Sequence, residues 1–557
     1  MNQPPLEQGP GLYTKGVSGG PRIIGGVGTS VTAFVGRFAN GPLGTPITVL
    51  DYADAVSIFG GIVADSPVTY ALRDFFDNGG SQALVVRQYR APSSKPSAGA
   101  RPAAVAPGTG WACVGGVVFV GSSPGVWGNN LQVTVAQSDP NAAAAYAPLG
   151  LLPADLFDLT IRYWPTPSQS ASYLTETIPC VTVKPGARRI DLVLEQRSQF
   201  LRLAYDTFPT ALSAGATDTP SAVASAEAAL LGTPAQSTSN VFVDGADSDP
   251  LQYADYTDDT KGYKAVLGQG GVFNILVLPP DNFTQYVDTR LLSDAASFCQ
   301  SNLAFYIVEP FANPAPDDGS ITPWTELAAR GNISAIDISS LGVTELASAF
   351  AAIYFPPATF PGRPSPYPLS GILAGIYATT DADRGVWKAP AGLSAIIPGA
   401  SGLTVSLNGS DRDFLDAQGI NVFRDIPNVG TVVWGDRTMN GADILGSDYK
   451  YIPVRRLANY IAASVSNGIQ WAVFEPNDET LWASLRQVTI TFMTDLFNQG
   501  AFAGNTPQDA WFVHVDATTT TPVDQAAGIV NVVVGFSPIQ PARFLVLYVQ
   551  QATALPS

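Results

Sequence analysis

Two glutamates close to a tryptophan are the strongest catalytic candidates in the chain. A glycosidase uses one carboxyl group as an acid and a second as nucleophile or base, and Glu475 and Glu479 could supply that pair. The apolar run before them, Trp471–Phe474, predicts a strand. A structural interpretation competes with catalysis, because Asn477 or Asp478 could cap a helix that begins at Glu479. The sequence leaves both interpretations open.

Most other catalytic chemistry is poorly equipped. His514 is the single histidine and lies in an apolar, strand-like run, so neither a histidine-pair metal site nor a conventional catalytic triad is expected. No serine lies in a G-x-S-x-G elbow, so no nucleophile can be nominated. Cys113, Cys180 and Cys299 are far apart and odd in number, which favours buried apolar roles over disulfides or a metal knuckle.

Two short motifs resemble ligand-binding loops without meeting their requirements. The glycine-rich stretch Gly25–Ser30 lacks the lysine of a phosphate-binding loop, and a hinge is the simpler interpretation. Asp244, Asp247 and Asp249 could offer oxygen ligands to Ca²⁺, but their spacing is not that of an EF-hand, which favours a solvated turn. The sequence therefore predicts no catalytic, cofactor-binding or metal-binding residue and no cofactor.

Charge is sparse in this chain of 557 residues. Only 13% of the residues are charged, about half the usual share, and the net charge is −17. The negative balance argues against nucleic-acid binding. A surface short of charge indicates either a protein covered by other subunits or a monomer solubilised by neutral polar residues. We expect neither a signal peptide nor a membrane-inserted segment, because no apolar run reaches the length of a bilayer span.

The periodicity of the chain predicts an α/β, multi-domain fold. Strands are expected at residues 31–37, 47–50, 83–89, 273–278, 304–308, 431–434, 509–515 and 529–536, and helices at 52–59, 68–77, 283–299, 369–381, 454–466 and 479–499. Between them, a Pro/Ser/Ala/Gly linker leads into a β-rich stretch. Its strands are predicted at 116–120, 131–135, 157–163, 179–183 and 190–194.

These patterns divide the chain into six parts. They are an extended N-terminal arm, the first part of the α/β core, a variable β-rich insertion expected to face outward, a middle α/β domain, a C-terminal domain, and a terminal strand with its tail, at residues 1–25, 26–90, 91–240, 241–385, 386–542 and 543–557. The last strand is apolar and would aggregate as an open edge, so it must be paired. Strand donation between identical subunits and pairing within one subunit both remain open.

Several segments, taken in order, resemble the tail-sheath protein family of contractile phage tails and related injection machines. The matching segments are Ser30–Arg37, Gly41-Pro42, Phe59–Gly61, Asp65–Pro67, Phe75–Gly80, Ser123–Asn130, Trp387–Gly392, Gly419–Val422, Val433–Thr438, Tyr451–Leu457, Gln470–Glu479, Leu481-Trp482 and Gly500-Ala501.

The resemblance implies a structural subunit with no active site. Copies would form rings, commonly six-fold, that stack helically around an inner tail tube protein, with baseplate and tail terminator proteins as further partners. Contraction would drive the tube through a target envelope. The implied location is the virion tail, assembled in the host bacterial cytoplasm, or a bacterial contractile injection particle.

The resemblance also implies which residues link subunits. The N-terminal arm would contribute Leu12, Tyr13, Thr14, Lys15 and Val17, and the C-terminal strand would contribute Phe544, Leu545, Val546, Leu547, Tyr548 and Val549. Arg455 and Arg456 are candidate tube contacts on the helix at residues 454–466, although an intramolecular ion pair would explain them equally well. The alternative functions are a carbohydrate-active enzyme and a non-contractile tube or capsid protein.

Overall fold

The computed structural model describes residues 23–93, 107, 109–114, 117–165, 173–204, 238–269, 271–283, 288–309, 324–365 and 367–541. These residues divide into two compact units, one containing residues 28–456 and the other containing residues 23–27 together with 457–541. The predicted linking residues in the N-terminal arm and the C-terminal strand lie outside the described residues. The six-part division of the sequence stays a prediction.

The described residues contain nineteen strands and fifteen α-helices. The strands are β1 Thr32–Arg37, β2 Ile47–Val49, β3 Ala83–Gln88, β4 Trp111–Val114, β5 Val117–Gly121, β6 Leu131–Gln137, β7 Phe157–Tyr163, β8 Leu174–Val181, β9 Leu201–Leu203, β10 Thr238–Val241, β11 Ile275–Val277, β12 Phe305–Val308, β13 Ala351–Phe355, β14 Ala358–Thr359, β15 Gly402–Leu403, β16 Asn421–Ile426, β17 Gly430–Trp434, β18 Trp511–His514 and β19 Val533–Phe536.

The helices alternate with these strands through much of the chain. They are α1 Tyr52–Phe59, α2 Pro67–Asp77, α3 Pro140–Ala144, α4 Ile190–Arg197, α5 Tyr253–Tyr256, α6 Tyr263–Gly268, α7 Thr289–Ser301, α8 Trp324–Ala329, α9 Glu345–Ser348, α10 Ser370–Arg384, α11 Gly409–Ala417, α12 Ile452–Gly468, α13 Glu479–Asn498, α14 Pro507–Ala510 and α15 Pro522–Ala526. None of the described helices is both long and apolar enough to span a lipid bilayer.

An eight-stranded sheet organises the larger unit, in the order β17-β16-β13-β12-β11-β1-β3-β2. Its six central strands run parallel, whereas β2 and β17 at the two edges are antiparallel to their neighbours. Side chains of a strand alternate between the two faces of a sheet. In β1, Ala33 and Val35 accordingly enter one apolar core, while Phe34 enters the core on the opposite face. Helices cover both faces, which confirms the predicted α/β class.

Two close-packed helices cover one face of this sheet. Gly371 of α10 lies so near to α2 that a Cβ atom there would stand 2.0 Å from the carbonyl oxygen of Ala71. Gly375, one turn later, is similarly crowded by the backbone of Phe75. Only glycine permits such a close approach of two helix backbones. The pair of glycines therefore fixes how α10 packs on α2.

The β-rich part of the larger unit has its own core. A four-stranded sheet, β10-β6-β7-β8, and a three-stranded sheet, β4-β5-β9, enclose a separate apolar cluster that includes Trp127 and Phe157. The strand predicted at residues 190–194 is wrong, because Ile190–Arg197 forms α4. Short apolar runs do not separate a strand from a buried helix turn. Here Ile190, Val193 and Leu194 are buried, which is the spacing of one helix face.

The smaller unit consists of α12 from Leu457 onward, α13, α14, α15 and a two-stranded antiparallel sheet. In that sheet Trp511 pairs with Phe536 and His514 with Val533. The predicted strand at Trp471–Phe474 is wrong. Residues Gln470–Ala472 form one 3₁₀ turn, and Phe474 adopts a left-handed φ of 71°.

Candidate functional site

The candidate catalytic glutamates lie at the beginning of a helix. Asp478 is the N-cap of α13, and its carboxylate accepts a hydrogen bond of 2.9 Å from the backbone N–H of Leu481. Asn477 accepts a hydrogen bond of 2.8 Å from the indole N–H of Trp482. Glu475 and Glu479 are both exposed. The capping interpretation of this segment is therefore confirmed, and the geometry gives its polar residues a structural role.

The three aspartates of the candidate calcium loop each hold a different piece of chain. Asp244 accepts a hydrogen bond of 2.9 Å from the indole of Trp111, and Asp247 accepts one of 3.0 Å from the backbone of Val126. Asp249 accepts bonds from Ser93, which lower the pKa of its carboxyl group. Within the described ranges no three His, Cys, Asp or Glu side chains are grouped as a metal site would need. The aspartates tie loops together.

The glycine-rich stretch meets the smaller unit at a tight contact. A Cβ atom on Gly26 would stand 2.0 Å from the hydroxyl of Tyr460, and Val27 donates a backbone hydrogen bond of 3.1 Å to Ser464. Both partners lie on α12. Gly26 is thus required by close packing against a helix, which the sequence motif does not reveal.

The histidine and two of the cysteines have structural surroundings. His514 is exposed on β18, with its ring 5.1 Å from that of Phe512. Cys180 and Cys299 are buried free thiols, as the sequence predicts. Burial raises the pKa of Cys299 and so keeps it in the unreactive thiol form. The side chain of Cys113 lies outside the described residues.

The two candidate tube-contact arginines are buried, with 9% of Arg455 and 4% of Arg456 exposed. Arg456 forms a bidentate ion pair with Asp381 of α10, at 2.8 and 2.6 Å, and donates a further bond of 3.0 Å to the carbonyl of Thr29. Arg455 lies over the ring of Tyr449, 3.8 Å from its centre. The intramolecular ion-pair alternative is confirmed for Arg456, while a tube contact by either residue stays a prediction.

Asp381 is a functional partner that the sequence analysis did not identify. It lies in the last turn of α10, where the helix dipole disfavours an acid. That unfavourable position was a usable signal, since a carboxylate there needs a cation nearby. The guanidinium of Arg456 also lies 4.9 Å from the centre of the Tyr377 ring, and Tyr377 shares a hydrogen bond of 2.5 Å with Tyr354.

A second buried ionic group fills the point where the order of the parallel strands reverses. Sheets of this kind commonly bind ligands beyond the carboxyl ends of the two strands at that point, here β1 and β11. Arg37, at the end of β1, donates a bond of 2.6 Å to Asp281 and one of 3.1 Å to Asp65. Burial raises the pKa of Asp281, and the guanidinium of Arg37 opposes that rise. The crevice is thus closed by an internal ion pair.

A buried carboxyl group lies two strands away, directly after β12. Glu309 accepts a bond of 2.6 Å from the backbone N–H of Leu369 and others from the N–H and hydroxyl of Ser370, so it holds the beginning of α10. It is completely buried. Burial raises the pKa of Glu309 to about 7, although its hydrogen bonds favour the ionised form.

This carboxyl group predicts a loss of stability as the pH rises. Glu309 would bind a proton in the folded chain at pH values where the unfolded chain has lost it, so its contribution is complete below about pH 4.5 and disappears as the pH rises through about 7. The shift corresponds to roughly 3 kcal/mol. We expect urea unfolding to show falling stability from pH 5 to pH 8. The slope should flatten in Glu309→Gln, leaving a smaller part from Asp281; an unchanged slope would contradict this assignment.

Comparison with known proteins places this geometry in a family. Residues 446–552 match the family model of the phage tail sheath C-terminal domain. The chain is a member of the tail-sheath family. The tail sheath protein of Vibrio phage KVP40 is 34% identical over 134 residues, which cover 24% of this chain and 20% of that protein. The tail sheath protein of Enterobacteria phage T4 is 30% identical over 179 residues, covering 32% and 25%.

Solved tail-sheath structures share the fold along most of the chain. The helical sheath of the anti-feeding prophage in its contracted state matches with a TM-score of 0.52 and 19% identity, covering 98% of this chain and all of that chain. The sheath tail protein of Listeria innocua matches with a TM-score of 0.56 and 14% identity, covering 93% and 96%. By sequence, this tail-sheath chain aligns with 20 to 44% of the length of its curated relatives.

Proposed function

We propose that the protein is the structural subunit of a contractile tail sheath, which polymerises helically around an inner tube and contracts to drive that tube through a cell envelope. The sheath-domain match over residues 446–552 carries the proposal. The resemblance of the ordered motifs supports it, as does the shortage of charge, since surfaces buried between copies carry little. The subunit would act without catalysis.

The small sheet of the smaller unit supports linkage between copies. Among the residues that the structure describes, this sheet contains β18 and β19 alone. A two-stranded hairpin is marginally stable by itself, and each of its strands has an edge open to further pairing. Strands from neighbouring copies, at Leu12–Val17 and Phe544–Val549, would complete it by β-augmentation. The links would keep copies tethered while their other contacts change.

Contraction requires two packings of the same subunits separated by a barrier. The extended sheath would be held kinetically, and the change would release energy summed over many interfaces. The β-rich insertion at residues 91–240 has a separate apolar core, which supports its placement on the outside of the particle. The tube, baseplate and terminator proteins would be the partners of the assembled sheath.

Electron microscopy of the purified protein tests this function directly. We expect rings or tubes, and a shorter, wider form of those tubes after treatment with a denaturant at low concentration. A capsid or rigid tube protein would assemble without the second form. Monomers under every assembly condition would contradict the proposal.

A further inference from the structure

An exposed apolar cluster lies at one end of the smaller unit. Phe474 is fully exposed and Val473 is 62% exposed, in the loop that precedes α13. Asn477 joins this loop to the segment after α15 by donating a bond of 3.1 Å to the carbonyl of Ile529. That segment adds Val523, which is 77% exposed. An apolar cluster of this kind on a protein surface usually marks an interaction site.

The surroundings of the cluster are acidic. Residues 457–541 contain seven acids and one base, Arg486. Glu475 and Glu479 flank the cluster and are exposed. A partner surface complementary to this loop must therefore combine apolar contact for Phe474 with positive charge around it.

The larger unit contains a cavity with these properties. Its volume is about 330 Å³, and its lining includes Leu407, Phe423, Arg412 and Arg424. Leu407 and Phe423 are buried and form its apolar part. A cavity of about 150 Å³ is enough to hold benzene, so a phenyl ring fits within this volume. The cavity also holds one acid, Asp425, whose carboxylate accepts a hydrogen bond from Thr431.

The two arginines of the cavity are held from different elements. Arg412 of α11 donates a bond of 2.7 Å to the carbonyl of Leu407, and Arg424 of β16 lies 5.0 Å from the centre of the Trp434 ring. These contacts fix the stems of both side chains while the guanidinium groups line the cavity. The cavity thus offers two positive charges in place before any partner binds.

We propose that Phe474 of one copy inserts into this cavity of a second copy, with Glu475 and Glu479 facing Arg412 and Arg424. Loop and cavity are different surfaces of the same chain, so the contact is heterologous. A heterologous contact repeats into rings or helical filaments. The inference rests on the proposed function, because a sheath is built from many copies of one chain.

Removing the aromatic ring tests the apolar part of the contact. We expect Phe474→Ser to weaken self-association about tenfold or more, measured as the protein concentration needed for half-maximal assembly in sedimentation. Ile444→Ser is the matched control, because Ile444 is 92% exposed in the larger unit, away from the loop and the cavity. Both variants should fold, since neither side chain is buried. Equal assembly by the two variants would overturn the proposal.

Charge exchange tests the polar part. Glu475→Arg and Arg424→Glu should each weaken assembly, and the double variant should recover most of the wild-type association because the pair is restored with reversed charges. A double variant that assembles no better than the single variants would contradict the pairing.

A cross-linking experiment separates this contact from the sheath function. Protein carrying Phe474→Cys is mixed with protein carrying Ser406→Cys, at the cavity lining, and treated with a short bismaleimide. Because each copy carries one of the two new thiols, a dimer that forms only in the mixture reports contact between copies. Its absence in a wild-type sheath that otherwise assembles would remove the docking proposal alone. Failure of the wild type to assemble would remove the sheath proposal, while the dimer would still report the contact.

Discussion

Arg456→Met should lower the free energy of unfolding by roughly 3–5 kcal/mol, because it leaves the carboxylate of Asp381 buried without its cation. The two side chains are 4% and 3% exposed, and their bidentate bonds measure 2.8 and 2.6 Å. The change also removes the bond to the carbonyl of Thr29. Urea unfolding, followed by tryptophan fluorescence, would measure the loss.

Two controls separate the ion pair from general packing. Arg455→Met removes the neighbouring guanidinium, which lies over the rings of Tyr449 and Phe350, and should cost less than Arg456→Met. The double variant Arg456→Met with Asp381→Leu should be more stable than Arg456→Met alone, since it removes the unpaired charge as well. If Arg455→Met were the more damaging single change, the ion pair would not be the main stabilising contact here.

Local patterns in the sequence predicted much of the secondary structure of the sheet and its helices. The apolar run at residues 304–308 gives β12, whose four residues are all buried, as expected for a parallel strand covered on both faces. Pro67 and the spacing of apolar residues gave α2 to within one residue. Local chemistry was sufficient in these segments because the burial pattern and the turn signals agreed.

The two wrong strands show where local patterns become ambiguous. The apolar residues of Ile190–Leu194 pack on one helix face, and those of Trp471–Phe474 include two exposed side chains. Period and hydrophobicity cannot distinguish a buried helix turn, a strand and an exposed loop over five residues. An apolar residue that serves a partner reads in the sequence exactly as a core residue does.

The buried ionic groups were out of reach for a different reason. Arg456 and Asp381 are 75 positions apart, and Arg37 and Asp281 are 244 apart. Their meeting depends on the strand order of the eight-stranded sheet, which brings residues from distant segments together. A charged residue within an apolar helix or at the end of a buried strand indicates that a partner exists, but only the topology identifies that partner.

Deleting residues 543–557 should leave a folded subunit that no longer polymerises. The edges of β18 and β19 would lack the strand that a neighbouring copy supplies, whereas both apolar cores of the eight-stranded sheet lie within residues 33–452. Deleting residues 1–22 should have the same effect through the other edge. Circular dichroism and thermal unfolding would report the fold, and electron microscopy the assembly.

A shorter deletion provides the matched control. Removing residues 550–557 takes away the tail and keeps the apolar run Phe544–Val549, so this variant should still assemble. Adding either long truncation to wild-type protein should shorten the tubes, because a copy that accepts a strand without donating one ends the chain of links. Normal tubes from both truncations would show that the links do not hold the sheath together. Loss of folding in either would instead show that the segment pairs within its own subunit, the alternative that the sequence leaves open.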